Sequence, residues 1–311
     1  MTLTILKSGP QTSVQDLGRD GYAALGVPRG GACDPLSLRL ANLVVGNDEG
    51  AAALELTLGG LVLRFDVATT FAWTGATMTV TLDGVALSPA HRYAAHKGAV
   101  LRFGFAERGA RAYLALAGGV DVAPILGSRS TGLLAGIGGF QGRALRVGDV
   151  VRCGAIAPRA PGVAVAQAER GEHLRVLPGP DWSLLDADAQ RQLLGTPWQV
   201  ALASNRMGMR LTGASVALAS ASSLDSHAVM PGCVQLPPSG EPIVLLADAQ
   251  TTGGYLRPLV VIRADVWRAG QFKPGDTLRL IEVDTAAALA AAAAQRDWLA
   301  RMTRALAWEA R

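Results

Sequence analysis

Alternating apolar and polar positions run through most of the chain and predict short β-strands. Met78, Val80 and Leu82 alternate with threonines, and the Asp83-Gly84 dipeptide supplies a tight turn before the apolar pattern returns. This pattern is typical of a β-hairpin, because successive side chains of a strand point to opposite faces of a sheet. Further strands are predicted at 61–65, 100–105, 112–116, 176–177, 243–246, 259–262 and 277–283.

A helical period of 3.6 residues is found at only a few places. Asp34 is placed to cap a helix that has Pro35 at its first position and ends at Gly46. A second helix is predicted from Ser183, as its N-cap, to the glycine at 195. The end of the chain predicts a third helix, with an apolar face on one side and arginines on the other.

A repeated motif divides the chain into two halves. Residues 146–152 and 273–279 each place a basic residue before a glycine turn and a strand that contains an arginine. Between the halves, residues 155–171 are rich in Ala, Pro and Gly and are predicted to be a linker. The alternative to two domains is a single β-sandwich in which these residues form a long loop. The preferred division is two β-rich domains and a C-terminal helix, at 1–154, 172–283 and 284–311.

Composition excludes several classes of protein. Half of the 311 residues are hydrophobic and 17% are charged, which argues against a disordered chain. The net charge of +4 is small and its basic residues are dispersed, so a nucleic-acid surface is not expected. The longest apolar run has nine residues, whereas a membrane span needs about 20. With no signal-peptide pattern at the N-terminus either, we expect a cytoplasmic protein. The three cysteines lack metal-ligand spacing, so a metal site is not expected.

The segment at residues 248–255 carries the densest chemistry. It follows an apolar run and reads Asp-Ala-Gln-Thr-Thr-Gly-Gly-Tyr. Glycines let a backbone approach a ligand closely, and the carboxylate, amide and hydroxyl groups supply donors and acceptors. The alternative is a β-bulge with polar turn residues. Composition alone leaves both interpretations open.

Other polar segments are candidates for binding a small anionic or amide-like ligand. Arg206 and Arg210 lie four residues apart, and arginine pairs suit carboxylate, carbamate or phosphate oxygens. One of them can instead pair with Asp248. Arg129 lies among hydroxyl residues that can hold an anion, and a polar turn is the alternative there. For Asp34 we prefer the role of a helix cap, and contact with a ligand is the alternative.

The order of these motifs resembles the biotin-dependent carboxyltransferase A/B family, also called allophanate hydrolase subunit 2. That family includes the C subunit of ATP-dependent 5-oxoprolinase, the KipA antagonist protein and half of the carboxyltransferase domain of urea amidolyase. The resemblance is carried by seven motifs, at 15–19, 40–47, 127–131, 136–140, 206–210, 234–240 and 250–255.

The resemblance implies a mainly β fold of two cyclophilin-like β-barrel domains with a few short helices. It implies the A and B subunits of 5-oxoprolinase as partners, and the ATP-driven opening of 5-oxo-L-proline to L-glutamate. The sequence leaves open which of the subunits binds ATP. One alternative is carboxyl transfer to urea or a related small amide, with biotin carried by another chain. Another is a KipA-like regulatory protein that binds a kinase inhibitor.

The resemblance also implies the roles of the site residues. Asp248, Gln250 and Tyr255 are the expected catalytic residues. An amide such as that of Gln250 can pair with both the carbonyl and the N–H of a lactam or urea, while Asp248 can orient a base. The chain departs from the family pattern at Leu256-Arg257, where proline commonly follows the tyrosine. Expected substrate-binding residues are Arg206, Arg210, Gln235, Ser239, Thr251, Thr252, Gly253, Gly254, Arg129 and Asp34.

Overall fold

The chain clusters into two compact units. The computed structural model describes residues 1–154, 160–218 and 224–308. The first unit comprises the described parts of Met1–Arg19, Gly30–Glu169 and Trp298–Arg311, and the second those of Asp20–Arg29 and Arg170–Asp297. The division into 1–154, 172–283 and 284–311 stays a prediction.

Strands β1 to β11 of the first unit form two antiparallel sheets. One sheet has the order β11-β1-β4-β9-β6-β7 and the other the order β2-β3-β10-β5-β8. The predicted hairpin is confirmed as the β6–β7 pair, in which Val80 lies opposite Leu87. The strands are β1 (Thr2–Ser8), β2 (Gln11–Gln15), β3 (Ala53–Thr57), β4 (Leu61–Phe65), β5 (Thr69–Thr77), β6 (Val80–Leu82), β7 (Val85–Leu87), β8 (Arg92–Ala95), β9 (Val100–Phe103), β10 (Arg108–Leu116) and β11 (Val150–Arg152).

Apolar side chains from both sheets of the first unit share one core. Ile5 and Leu63 come from one sheet, and Leu54 and Trp73 come from the other, and all four are fully buried. Burying one such side chain contributes about 1.5–3 kcal/mol. This core therefore joins the two sheets face to face within the unit.

Helix α1 (Pro35–Val45) covers the outer face of the second of these sheets. Its residues Leu38 and Val44 pack in one cluster with Tyr113 of β10. The predicted ends are confirmed, since Asp34 is the N-cap and Gly46, at a φ of 90°, is the C-cap. Glycine suits this left-handed position because it lacks a Cβ.

The second unit contains a closed barrel of seven strands and a separate two-stranded ribbon. The barrel order is β12-β19-β16-β17-β14-β13-β20, and the ribbon is β15–β18. The pairs are antiparallel except for β12 with β20. The strands are β12 (His173–Pro178), β13 (Trp198–Val200), β14 (Gly208–Thr212), β15 (His227–Ala228), β16 (Cys233–Leu236), β17 (Ile243–Leu245), β18 (Thr252–Gly253), β19 (Leu256–Val261) and β20 (Thr277–Glu282).

The mainly β class is confirmed, with helices that differ in detail from the prediction. Helix α2 (Ala187–Gly195) begins later than predicted because Asp186, and not Ser183, caps it by accepting a hydrogen bond from the Ala189 N–H at 2.8 Å. Helix α3 (Val266–Ala269) is one short turn. The last helix, α4 (Thr285–Trp308), is long, at 24 residues.

The predicted linker is partly structured. Residues 155–159 lie outside the described part of the chain, but the following segment pairs with the first unit. The N–H of Arg92 donates to the carbonyl of Val163 at 2.8 Å, and the N–H of Gly75 donates to the Gln167 side chain at 2.6 Å. This part of the segment therefore belongs to the packed unit. Among the described residues, no helix combines the length and the apolar character that a membrane crossing requires.

The cap of α1 predicts a stability effect for Asp34. The Asp34 carboxylate is fully buried and accepts hydrogen bonds from the Ser37 N–H at 2.8 Å and the Ser37 hydroxyl at 2.6 Å. We expect Asp34→Ala to lower the free energy of unfolding by about 1–2 kcal/mol, the usual cost of losing an N-cap. Equilibrium urea denaturation measures this. Asp34→Asn is the control that keeps an acceptor, and equal stability of both variants and wild type would contradict the prediction.

Candidate active site

A buried ion pair organises the polar segment that follows β17. Arg206 donates to Asp248 through Nε at 2.8 Å and through Nη2 at 2.9 Å, so the guanidinium and carboxylate meet along two parallel hydrogen bonds. The side chains are 4% and 9% exposed. The Asp248 N–H also donates to the Arg206 carbonyl at 3.0 Å. Backbone and side chain together therefore fix where the chain goes after Asp248.

This pairing decides one of the alternatives left open by the sequence. Arg206 binds the protein carboxylate of Asp248, and both carboxylate oxygens receive a guanidinium N–H. Such bidentate pairs are strong and directional. Arg206 thus pairs with Asp248, and the pairing holds the Asp248 side chain in place.

Two glutamines meet next to Gly253. Gln235 of β16 is 1% exposed, and its Oε1 accepts a hydrogen bond from Gln250 Nε2 at 3.3 Å. A Cβ on Gly253 would stand 2.7 Å from Gln235 Nε2 and 3.4 Å from Gln250 Nε2. The two carboxamide nitrogens therefore converge on the face of Gly253, where only a glycine leaves them space.

The Gln235 amide has an unused donor. Its Nε2 is buried and has no hydrogen-bond partner among the described residues. Buried polar groups in proteins are almost always satisfied, and an unsatisfied one costs about 1–3 kcal/mol. A donor kept at that cost beside Gly253 is suited to a ligand oxygen. The arrangement can hold and polarise a carbonyl, and it can stabilise the negative charge that develops on the carbonyl oxygen during attack.

A second ion pair supports the ribbon that carries Gly253. Gly253 pairs with His227 across β15 and β18. Arg257 donates to the Ala228 carbonyl at 3.3 Å and to Asp181 through Nε at 2.9 Å. Burial raises the pKa of Asp181, but the hydrogen bonds from Arg257 outweigh it, and the pKa lies below its usual value. Asp181 therefore stays ionised and anchors Arg257 under the ribbon.

The sequence pattern does not reveal this support. Asp181 and Arg257 are 76 positions apart, and neither lies in a recognisable catalytic pattern. The sequence feature that points to this support is that Leu256 and Arg257 follow Tyr255, where a proline is common in the family that the sequence resembles. His227 lies in the same ribbon; its ring Nδ1 is 3.0 Å from the Asp225 carbonyl, and its Nε2 is buried without a partner among the described residues.

The other predicted residues of the second unit occupy more open positions. Tyr255 is 44% exposed. Arg210 is exposed on β14, where its neighbours Met209 and Leu211 are buried. The Leu224 N–H donates to the Gly254 carbonyl at 3.2 Å. Thr251 is half-buried and Thr252 is exposed, and both follow Gln250 directly in the chain. Ser239 is exposed on a turn.

Asp34 and Arg129 belong to the first unit and have local roles there. Asp34 caps α1, as described above. Arg129 donates through Nε to the Val122 carbonyl at 2.9 Å, and its N–H donates to Asp16 at 2.6 Å. The anion that this loop holds is therefore the carboxylate of Asp16. Among the described residues, His, Cys, Asp and Glu side chains form no group of three or more that could hold a metal ion.

Comparison with known proteins places this geometry in one family. The family model of the carboxyltransferase domain, subdomains A and B, matches residues 25–282. The C subunit of 5-oxoprolinase from Escherichia coli (strain K12) is 41% identical over 307 residues, which are 98% of this chain and 98% of that protein. The protein of the same name from Haemophilus influenzae is 35% identical over 277 residues, 89% of this chain and 90% of that protein.

The urea amidolyases are similar over a part of their length. That of Saccharomyces cerevisiae is 33% identical over an alignment of 304 positions, which covers 90% of this chain and 16% of the yeast protein. The crystal structure of K. lactis urea amidolyase matches with a TM-score of 0.89 at 31% identity, over 97% of this chain and 20% of that chain. The chain thus corresponds to about a fifth of these larger proteins.

The chain belongs to the carboxyltransferase domain family of subdomains A and B, which confirms the resemblance seen in the sequence. Within that family it is similar along nearly its whole length to the C subunit of 5-oxoprolinase.

The buried ion pair predicts a large effect on stability. Replacing Arg206 by Met leaves the Asp248 carboxylate buried without its cation, which typically costs about 3–5 kcal/mol. We expect Arg206→Met to lower the free energy of unfolding by this amount and the double variant Arg206→Met/Asp248→Leu to lose less than the sum of the single changes. Equilibrium denaturation of the full chain measures both.

An exposed pair supplies the control. Arg191 and Asp188 form an ion pair on α2 with side chains 77% and 83% exposed. Asp188→Asn should barely change stability, because exposed pairs contribute little. If Arg206→Met were as mild as Asp188→Asn, the buried pair would not have the organising role that we assign to it.

Proposed function

We propose that this chain is the C subunit of ATP-dependent 5-oxoprolinase, which opens 5-oxo-L-proline to L-glutamate together with the A and B subunits. The observation that carries the proposal is the full-length likeness to the corresponding Escherichia coli protein, at 41% identity over 98% of both chains. The proposed enzyme is an amide hydrolase that is inactive without its partner subunits. We propose the cytoplasm as its location, and a partner subunit is a candidate for binding the nucleotide.

The glutamine pair supports this reaction class. A lactam presents one carbonyl oxygen and one N–H. Gln235 Nε2 is a buried donor for the oxygen, and the carboxamide of Gln250 supplies both a donor and an acceptor beside it. In lactam opening the carbonyl oxygen gains negative charge as the nucleophile adds, and the C–N bond then breaks with a proton passing to nitrogen. A preorganised donor lowers the barrier because it stabilises that charge.

The remaining predicted residues keep their proposed places around this pair. Asp248 is proposed to hold the segment of Gln250 in position, and Tyr255 is proposed as a catalytic group at its exposed end. Thr251, Thr252 and Gly254 are proposed to contact substrate near Gly253. Roles for Arg210 and Ser239 in binding substrate remain proposals that their exposure permits.

Carboxyl transfer to urea or a related small amide is the second candidate. It is favoured by the similarity to the urea amidolyases, at 33% identity for the yeast protein and a TM-score of 0.89 for the solved structure. Urea, like a lactam, presents a carbonyl and N–H groups, so the same glutamine pair would serve it. For this function biotin is carried by another chain.

The first test is 5-oxoproline-dependent ATP hydrolysis by this chain purified with its partner subunits. We expect activity only with all subunits present. Gln235→Ala and Gln250→Ala should each lower kcat about 100-fold or more, the usual loss when one donor to a developing oxyanion is removed. Circular dichroism and complex formation should remain as in wild type.

Gly253→Ala tests the arrangement of the two glutamines, because it adds a methyl group to the face of residue 253 on which their amide nitrogens converge. The backbone of Gly253 is not in the left-handed region, and the new Cβ would stand 2.7 Å from Gln235 Nε2. We expect activity to fall with the fold retained. Gly195→Ala is the matched control, since no described heavy atom lies within 4 Å of its Cβ position.

The outcome separates the two candidate functions. Full activity of the Gln235, Gln250 and Gly253 variants would remove this site from the reaction. A stable complex that lacks 5-oxoprolinase activity but carboxylates urea with a biotin carrier would support the second candidate.

A further inference from the structure

Arg19 of the first unit is a buried guanidinium without a counter-ion. The residue is 3% exposed, and Nη2 donates to the Ser130 carbonyl at 2.5 Å. Its Nε is buried and has no hydrogen-bond partner, and no carboxylate within the described ranges forms an ion pair with it. Burying a charge carries a large desolvation penalty unless an opposite charge and hydrogen bonds compensate it. The single carbonyl contact leaves most of that penalty uncompensated.

The carboxylate in the same motif is hydrogen-bonded to donors other than Arg19. Asp16 accepts hydrogen bonds from the Gly18 N–H at 2.8 Å, the Ser128 hydroxyl at 2.6 Å, the Arg129 N–H at 2.6 Å and the Ser130 hydroxyl at 2.5 Å. Ser130 thus directs its hydroxyl to Asp16 and its carbonyl to Arg19. The carboxylate accepts four hydrogen bonds from this loop, and within the described part of the chain no hydrogen bond or ion pair joins it to the guanidinium.

Glycines border the two ends of the Arg19 guanidinium. A Cβ on Gly138 would stand 2.3 Å from the Ser130 carbonyl and 2.9 Å from Nη2, and one on Gly132 would stand 3.2 Å from Ile137 Cγ1 and 3.6 Å from Nη1. Gly138 has a φ of 66°, which an L side chain rarely adopts. A side chain at either position would therefore crowd the guanidinium and its neighbours.

We infer that Arg19 is the centre of a binding site for a small oxyanion of the carboxylate, phosphate or bicarbonate type. A planar guanidinium presents paired N–H groups that match two oxygens of such an anion. The bound anion would supply the charge that the protein does not provide at this position. This inference rests on the first unit alone and does not depend on the proposed function.

The test measures binding without any enzymatic readout. Thermal unfolding of the full chain is followed while acetate, phosphate or bicarbonate replaces chloride at constant ionic strength. A ligand that binds only the folded state raises the unfolding temperature with a saturable dependence on its concentration. We expect such a rise for wild type with at least one of the three anions, and the anion that acts identifies the ligand class. Titration calorimetry with that anion gives the dissociation constant.

Two variants test the assignment to Arg19. Arg19→Gln should weaken the anion's apparent affinity at least tenfold. Gly132→Ala should do the same without removing the charge, because its methyl group would stand 3.6 Å from Nη1 as well as 3.2 Å from Ile137 Cγ1, and its backbone lies outside the left-handed region. Gly132→Ala decides the question if Arg19→Gln does not fold. Gly50→Ala is the control, with a Cβ that meets only the Leu17 side chain, at 3.2 Å.

The outcomes are exclusive. A saturable effect that is present in wild type and Gly50→Ala and is lost in Gly132→Ala supports the site. No effect beyond chloride with any of the three anions overturns it, and so does an equal effect in wild type and Gly132→Ala.

Discussion

The candidate site depends on the ion pair between Arg206 and Asp248. Its two hydrogen bonds, together with the backbone bond between the same residues, hold the end of the barrel strands in one arrangement. Buried ion pairs are weak contributors to net stability because desolvation offsets much of their attraction, but they are demanding in geometry. Gln250 follows two residues later, so the constraint on Asp248 is also a constraint on where that amide can point.

Gln235 shows what such a fixed frame makes possible. A buried carboxamide with an unpaired N–H would ordinarily relax toward an acceptor or toward solvent. Here the pairing of its barrel strand holds its backbone, and Gln250 holds its oxygen. The remaining donor is therefore presented beside Gly253 at a cost in stability. Departures from complete hydrogen bonding are characteristic of functional sites, where stability is given up for a prepared contact.

The sequence predicted what depends on neighbours along the chain and missed what depends on distant contacts. The caps of α1 at Asp34 and Gly46 follow from local chemistry, and the β6–β7 hairpin follows from alternation and its turn. The support of the ribbon by Asp181 and Arg257 joins residues 76 positions apart, and no local pattern marks it. The loop around Arg129 is suited to an anion, as its sequence indicates, but its partner, Asp16, lies 113 positions away.

A contact between residues distant in the chain also determines which groups the candidate site offers to a ligand. Sequence alone left open whether Arg206 binds a ligand or pairs with Asp248, and in the structure it pairs with Asp248. The groups left for a ligand at Gly253 are neutral amides. Neutral donors suit an uncharged carbonyl better than a carboxylate, since they need no ionic partner and still stabilise charge that appears during reaction. A lactam and urea share that uncharged carbonyl, which is the physical basis of the two functions that we propose.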